Sequence, residues 1–281
     1  MNSAIATWAE NIVILDESHE LHSYDPMMSF AKDELLCKQA AQYNITICRI
    51  WRHPNAFILG QQDARLPNAK QAMDWLQDNH YMPIVRNSGG AAVPLDEGVV
   101  NISLIFPNED REHGAYRNDF EKMFQLIAAS LATTGAEVQK GEVSGAYCPG
   151  DYDLSINGLK FCGIAQRRLL RAYCVQAFVI ASGFGKERTS LVRRFYEIAG
   201  NGDPQAKHPT VTDESTASLA ELTSLEKPAH TSFTKAIIQT LQAHQEHHQQ
   251  TSAPNSANKL ILPEDSEITL LAQQLKKRYS Y

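Results

Sequence analysis

Apolar positions along the 281-residue chain fall into two rhythms, one of helical and one of strand period. Helical spacing appears at Phe30, Leu35, Leu36 and Ala40 and predicts a helix over 29–42. It returns at Ala69, Ala72, Met73 and Leu76 behind Pro67, and again at Phe120, Met123, Phe124, Ile127 and Leu131, where Gly135 closes the segment. Later helices are expected at about 188–199, with Thr189 or Ser190 able to cap it, and at 213–223, 231–248 and 263–279. The last ends in Lys276-Lys277-Arg278, which suits a helix C-terminus. Short β-rich runs lie between them at 44–51, 56–61, 82–86, 91–95, 99–106 and 172–180. Residues 1–28 read as an irregular lead-in, 200–209 as a Gly/Asn/Pro/His loop and 252–258 as a linker. Antiparallel hairpins with helices between them predict an α+β fold rather than a doubly wound sheet. The expected organisation is a lead-in with the first helix over 1–41, a main domain over 42–228 and a C-terminal helical extension over 229–281.

One further pair of strands carries chemistry. Cys148 stands in the loop Gly145-Ala146-Tyr147-Cys148-Pro149-Gly150, a strand follows, and Asn157-Gly158 turns the chain so that Lys160 returns on the second strand. Asn-Gly between β-rich runs is the strongest short hairpin signal, so the thiol and the ammonium are expected to approach each other. A fixed cation favours the thiolate, which is the nucleophile. That is the minimum apparatus for acyl transfer through a thioester. The other cysteines read as packing: Cys48 and Cys174 among apolar strand residues, Cys37 on a helix, and Cys162 beyond Lys160. Asp151 and Asp153 suit the turn and the outer strand face, with either able to orient Lys160.

Composition narrows the class. Hydrophobic residues at 43% and charged residues at 21% are ordinary for a globular domain, and a net charge of −6 gives no reason to expect nucleic acid or a membrane as partner. No apolar run approaches the roughly 20 residues of a membrane span. Met1–Glu20 lacks the basic flank and apolar centre of a signal peptide. Five cysteines at irregular spacing point to reduced thiols in the cytoplasm, not to disulfides or zinc. His244 to His248 reads as a solvated helix face.

A second segment runs Arg86-Asn87-Ser88-Gly89-Gly90-Ala91-Ala92-Val93-Pro94-Leu95-Asp96 and on to Ser103. Small residues at 88–92 let backbone approach a ligand, and Arg86 could hold a carboxylate or phosphate. By itself this is an ordinary Ser-Gly-Gly turn between strands. Taken with Gly158-Leu159-Lys160-Phe161-Cys162-Gly163-Ile164-Ala165-Gln166, it resembles the two signatures, RRxSGGGAVxHDxGxLNxS and GxKxxGxAQ, of the lipoate–protein ligase and octanoyltransferase family. Phe57 to Gln62, and Pro209 to Val211 with Ser215 to Leu222, are similar to its early strand and its C-terminal element, so the likeness runs over about 29–225.

The resemblance implies the class II synthetase-like α+β fold of biotin and lipoate protein ligases, with a mixed, mainly antiparallel sheet and C-terminal helices. It implies a medium-chain acyl tunnel walled by Ser88, Gly89, Gly90, Gly163 and Ala165, with Arg86 beside it and Lys160 on the acyl carbonyl. Leu95 stands where the family usually has His, and Ala91 where it has a third Gly. With Cys148 to Ile156, these departures resemble one branch, the octanoyl-[glycine cleavage H protein]:protein N-octanoyltransferases. That likeness implies Cys148 as nucleophile, octanoylated H protein as donor, lipoyl domains of 2-oxoacid dehydrogenase E2 subunits as acceptors, and no cofactor, metal or nucleotide. Arg167, Arg168, Arg171, Arg193 and Arg194 read as surface charge, and are also docking candidates for acidic carrier domains. Competing readings are an ATP-dependent lipoate–protein ligase, a transferase fed by acyl carrier protein, and an inactive carrier-binding module.

Overall fold

The computed structural model describes residues 8–21, 24–108, 116–249 and 260–279. Ten strands form two sheets among these residues. The large sheet holds β1 (Ile12–Glu17), β2 (Thr46–Trp51), β6 (Val99–Pro107), β10 (Ala172–Ile180), β9 (Leu159–Arg168), β8 (Leu154–Ile156) and β7 (Gln139–Lys140), in that spatial order. Only its β1–β2 pair is parallel. A small sheet sets β3 (Asn55–Leu59) between a parallel β4 (Met82–Val85) and an antiparallel β5 (Val93–Asp96). The sheets are mixed and mainly antiparallel, and the fold is α+β as the pattern predicts.

Burial explains the layers. Val100, Ile102, Leu104 and Phe106 of β6 point to one face of the large sheet, with Val175, Ala177 and Val179 of β10. Met123, Ile127 and Leu131 of helix α3 (Tyr116–Leu131) and Phe233, Ile237 and Leu241 of α6 (Ala229–Gln249) complete that core. The small sheet buries Phe57, Leu59 and Ile84 against α2 (Ala69–Asp78) and α4 (Gly185–Gly200) in a second core. Helix α1 (Met27–Tyr43) lies along β6 and β10, and α7 (Asp265–Tyr279) packs on α1.

On the opposite face of the large sheet the register lays out two rows of side chains. Trp51, Asn101, Phe178 and Gly163 are neighbours across four strands, and so are Arg49, Ser103, Gln176 and Ala165. This face turns towards the small sheet, and the site lies between them.

Three expectations need correction. Residues 12–17 form β1 instead of an irregular lead-in: it is an edge strand with mixed burial, so its apolar alternation is faint in the sequence. Residues 213–223 hold only the single turn α5 (Leu219–Leu222), with a Ser218/Glu221 capping box. Before it the chain runs extended beside β9, where the Lys160 N–H donates to Ser215 O at 3.0 Å and the Ala217 N–H to Lys160 O at 3.0 Å. Helix α4 starts at Gly185, three residues earlier than expected. Thr189 sits inside it, donating to Gly185 O, while the Gly185 N–H is taken by Glu221 Oε2 at 3.0 Å. The expected 252–258 linker lies outside the described residues.

Candidate active site

The Asn157-Gly158 turn forms as expected, with φ values of 53° and 78°, and sets Lys160 opposite Ser155. Lys160 is fully buried. Its Nζ donates to Tyr147 O at 2.8 Å and to Cys148 O at 2.6 Å, and pairs with Asp153 Oδ1 at 2.7 Å. A buried ammonium survives only when paired and hydrogen-bonded, and these three acceptors meet that need. Burial pushes the Asp153 carboxyl up to about 6, while the Lys160 charge pulls the other way. The clasp is sealed by Tyr147, which is fully buried and stacks on Phe178 at 5.9 Å between ring centroids.

Lys160 therefore grips the backbone of the cysteine loop. Cys148 has φ +48°, a left-handed conformation that a residue with a Cβ holds only under constraint. The partners of its sulfur are different groups. Arg86 Nη2 donates to Cys148 Sγ at 3.3 Å and to Ala91 O at 2.7 Å, and the Ala91 N–H donates to the same sulfur at 3.3 Å. Gly90 makes this possible: its φ is +104°, and a Cβ there would lie 2.2 Å from Arg86 Nη2 and 3.1 Å from the sulfur. Cys148 is half-buried, and Cys37, Cys48, Cys162 and Cys174 are buried. Burial pushes the Cys48 thiol up to about 12 and raises Cys162 and Cys174 as well.

Cys148 opens on a chamber of about 380 Å³ between the two sheets. Arg86, Gly89, Gly90, Gly163 and Ala165, all singled out in the sequence, line it. Phe30, Trp51, Ile58, Val93, Leu95 and Phe178 give it an apolar wall. Leu95, at the usual His position of the family signature, is part of that wall. Gly163 is small of necessity: a Cβ would sit 2.5 Å from the Phe178 ring. Asn101, Ser103 and Gln176 add a polar stripe, and Ser103 and Gln176 both donate to the buried Asp33 at 2.7 Å.

Ser88 lies elsewhere. It lines a wider groove of about 860 Å³ on the other side of the Gly89-Gly90 turn, with Gln62, Asp63, Lys207 and His208. Gly89, Gly90 and Pro149 border both spaces. Beside the groove a network holds the turn: the Ala92 N–H donates to Tyr196 Oη at 3.2 Å, Tyr196 to Asp63 Oδ1 at 2.9 Å, and the Gly60 N–H to Asp63 Oδ2 at 2.8 Å. Burial raises the Asp63 carboxyl. Tyr196 and Asp63 carried no local signal in the sequence, being linked across 133 residues.

The two signature turns, a clasped lysine and an acyl-sized chamber already fit the family suggested by the sequence. The lipoyl protein ligase A/B catalytic domain profile matches residues 25–242. The chain belongs to that family. Among lipoyl protein ligase A/B relatives, the octanoyl-[GcvH]:protein N-octanoyltransferase of Geobacillus kaustophilus is 44% identical over 211 residues, 74% of each chain. The lipoyl-[GcvH]:protein N-lipoyltransferase of Listeria monocytogenes is 39% identical over 204 residues, 71% of this chain and 72% of the relative. The crystal structure of lipoate-protein ligase A bound with ATP has the same fold, with a TM-score of 0.65 at 19% identity over 96% of both chains.

Proposed function

We propose that this member of the lipoyl protein ligase A/B family is an octanoyltransferase that uses Cys148 as nucleophile. It takes an octanoyl group from the lysine of the glycine cleavage H protein and passes it to lysines of other lipoyl domains, those of 2-oxoacid dehydrogenase E2 subunits, within the cytoplasm. The octanoyltransferase relatives support the reaction class. The observation that carries the residue assignment is the sulfur itself: half-buried, on the wall of an apolar chamber, and accepting from Arg86 and the Ala91 N–H.

The chemistry follows from that placement. An amide is a poor electrophile, so the sulfur must be a strong nucleophile and the acyl carbon must be held against it. Attack of Sγ forms a C–S bond, the C–N bond of the donor amide breaks, and the proton of the thiol ends on the departing lysine amine. The acceptor amine then attacks the thioester, the C–N bond re-forms, and the sulfur regains a proton. One amide is broken and one is made, so the transfer is close to thermoneutral, reversible and independent of ATP.

The test mixes the protein with octanoylated H protein and an apo E2 lipoyl domain, with and without ATP. Octanoylation of the acceptor without ATP, and a hydroxylamine-sensitive adduct on Cys148 by intact mass, are expected. Transfer only from free octanoate with ATP would make the protein a ligase, and transfer only from octanoylated acyl carrier protein would change the donor. A second reading has lipoyl as the transferred chain. It is favoured by the Listeria relative and by the polar stripe of Asn101, Ser103 and Gln176 in the chamber. Competition between octanoylated and lipoylated H protein for one enzyme decides between them by the ratio of kcat/KM.

A further inference from the structure

The turn that brings the Ala91 N–H to Cys148 Sγ contains two adjacent glycines, the residues that lose most freedom when a backbone is fixed. Its geometry is imposed from outside. On one side Arg86 holds Ala91 O. On the other, the Ala92 N–H donates to Tyr196 Oη at 3.2 Å, and that hydroxyl donates to Asp63 Oδ1 at 2.9 Å. Asp63 Oδ2 takes the Gly60 N–H at 2.8 Å. Gly60 in turn lies so close to the turn that a Cβ there would be 2.0 Å from Gly90 O. Ala92, Tyr196 and Asp63 are all buried. Tyr196 comes from α4 and Asp63 from the short turn Asp63–Arg65 after β3, so distant parts of the chain converge on one peptide group.

We propose that Tyr196 and Asp63 are positioning residues for acyl transfer, holding the Gly89–Ala92 turn so that the Ala91 N–H meets the reacting sulfur. Neither side chain lines the chamber, so neither touches the acyl group. Their effect passes through the backbone: Tyr196 fixes the N–H of Ala92, and the neighbouring N–H of Ala91 is thereby aimed at Sγ. That N–H stabilises negative charge on the sulfur when it attacks the donor amide and again when it leaves the thioester. Packing alone does not call for the two polar groups. A phenylalanine at 196 would keep the ring contacts with Phe195 and His208, and a buried hydroxyl and carboxylate are costly unless bonded. What the oxygens add is a fixed direction for one peptide N–H. The inference rests on the reading of Cys148 as nucleophile.

The experiment reads the pH profile of Cys148 alkylation beside acyl transfer. The other four cysteines are at most 1% exposed, so iodoacetamide reports on Cys148 in the folded protein, with Cys148→Ala as the control. Tyr196→Phe removes one oxygen and no charge. It is expected to move the alkylation profile up by about half a pH unit or more, which slows the reaction about threefold or more at neutral pH. The kcat should fall by a similar factor while KM for octanoylated H protein stays as in wild type, because the chamber is intact. Asp63→Asn should also move the profile up. Loss of a nearby negative charge acting by itself would move it down, so the sign separates positioning from electrostatics. Phe233→Ala, in the core on the other face of the large sheet, is the control for lost stability and should leave the profile unmoved. Circular dichroism checks each fold, and should Tyr196→Phe unfold, Asp63→Asn decides by its sign. A wild-type profile in folded Tyr196→Phe, an unmoved or lowered profile in Asp63→Asn, or an equal rise in Phe233→Ala overturns the assignment. Failure of the nucleophile reading looks different: wild-type protein would transfer the octanoyl group with no adduct on Cys148, whatever the alkylation profiles.

Discussion

At the scale of single residues, reactivity depends on which groups reach the sulfur. Cys148→Ala should fold and lose octanoyl transfer by at least about a thousandfold, measured by acceptor mass shift, because no other thiol opens on the chamber. Asp153 makes a pH prediction. Its folded carboxyl titrates near 6 against an ordinary value of 3.8, so between about pH 4 and pH 6 the folded state binds more protons than the unfolded one. Asp153 therefore lowers stability as pH rises through that window, with no further effect above it. Urea unfolding at pH 4, 5, 6 and 7 should show this loss in wild type and its absence in Asp153→Asn. A stability that rises equally in both proteins over the window would contradict it. The sequence showed Lys160, Cys148 and Arg86 as candidates, because each stands in a local signature. It did not show their pairing, because Arg86 meets the sulfur across 62 residues and the meeting depends on the Gly90 backbone.

At the scale of elements, the strands that carry the site were legible and the edges were not. The limits of β10 match the expected 172–180, since a continuous apolar run in a central strand leaves little ambiguity. β1 differs from expectation because it is an edge strand with mixed burial, and the stretch before α5 because its polar residues Ser215, Thr216 and Ser218 are buried by pairing with β9, a tertiary contact that overrides local pattern. The two rows of the large sheet predict how the chamber can be filled. Gly163→Val should place two methyls against Phe178, cost about 1–3 kcal/mol of stability and abolish octanoyl transfer. Iodoacetamide, being small, should still alkylate Cys148 in that variant. Full octanoyl transfer by Gly163→Val would place the acyl chain away from this row.

At the scale of the whole molecule, the site is suspended between two cores on opposite faces of the large sheet. The core of the small sheet forms most of the chamber's apolar wall, and the other reaches it through Ile102, Phe120, Ile164 and Ala177. Phe233 of α6 is fully buried in that other core, so Phe233→Ala should cost about 3–5 kcal/mol in urea unfolding. The alkylation rate of Cys148 should stay as in wild type at temperatures where the variant is folded. A proportional loss of thiol reactivity would mean that the two cores are not separable in this way.

The Gly89-Gly90 turn has a consequence for how this sequence can change over time. The two glycines look equivalent in the motif, yet a methyl on Gly89 meets nothing within 4 Å, while one on Gly90 collides with Arg86 and approaches the sulfur of Cys148. Drift is therefore open at 89 and closed at 90. In a library with every amino acid at both positions, selected for lipoyl-dependent growth, survivors should be varied at 89 and almost all glycine at 90. Any exception at 90 should carry a compensating change at Arg86, since those two residues compete for one volume beside the thiol.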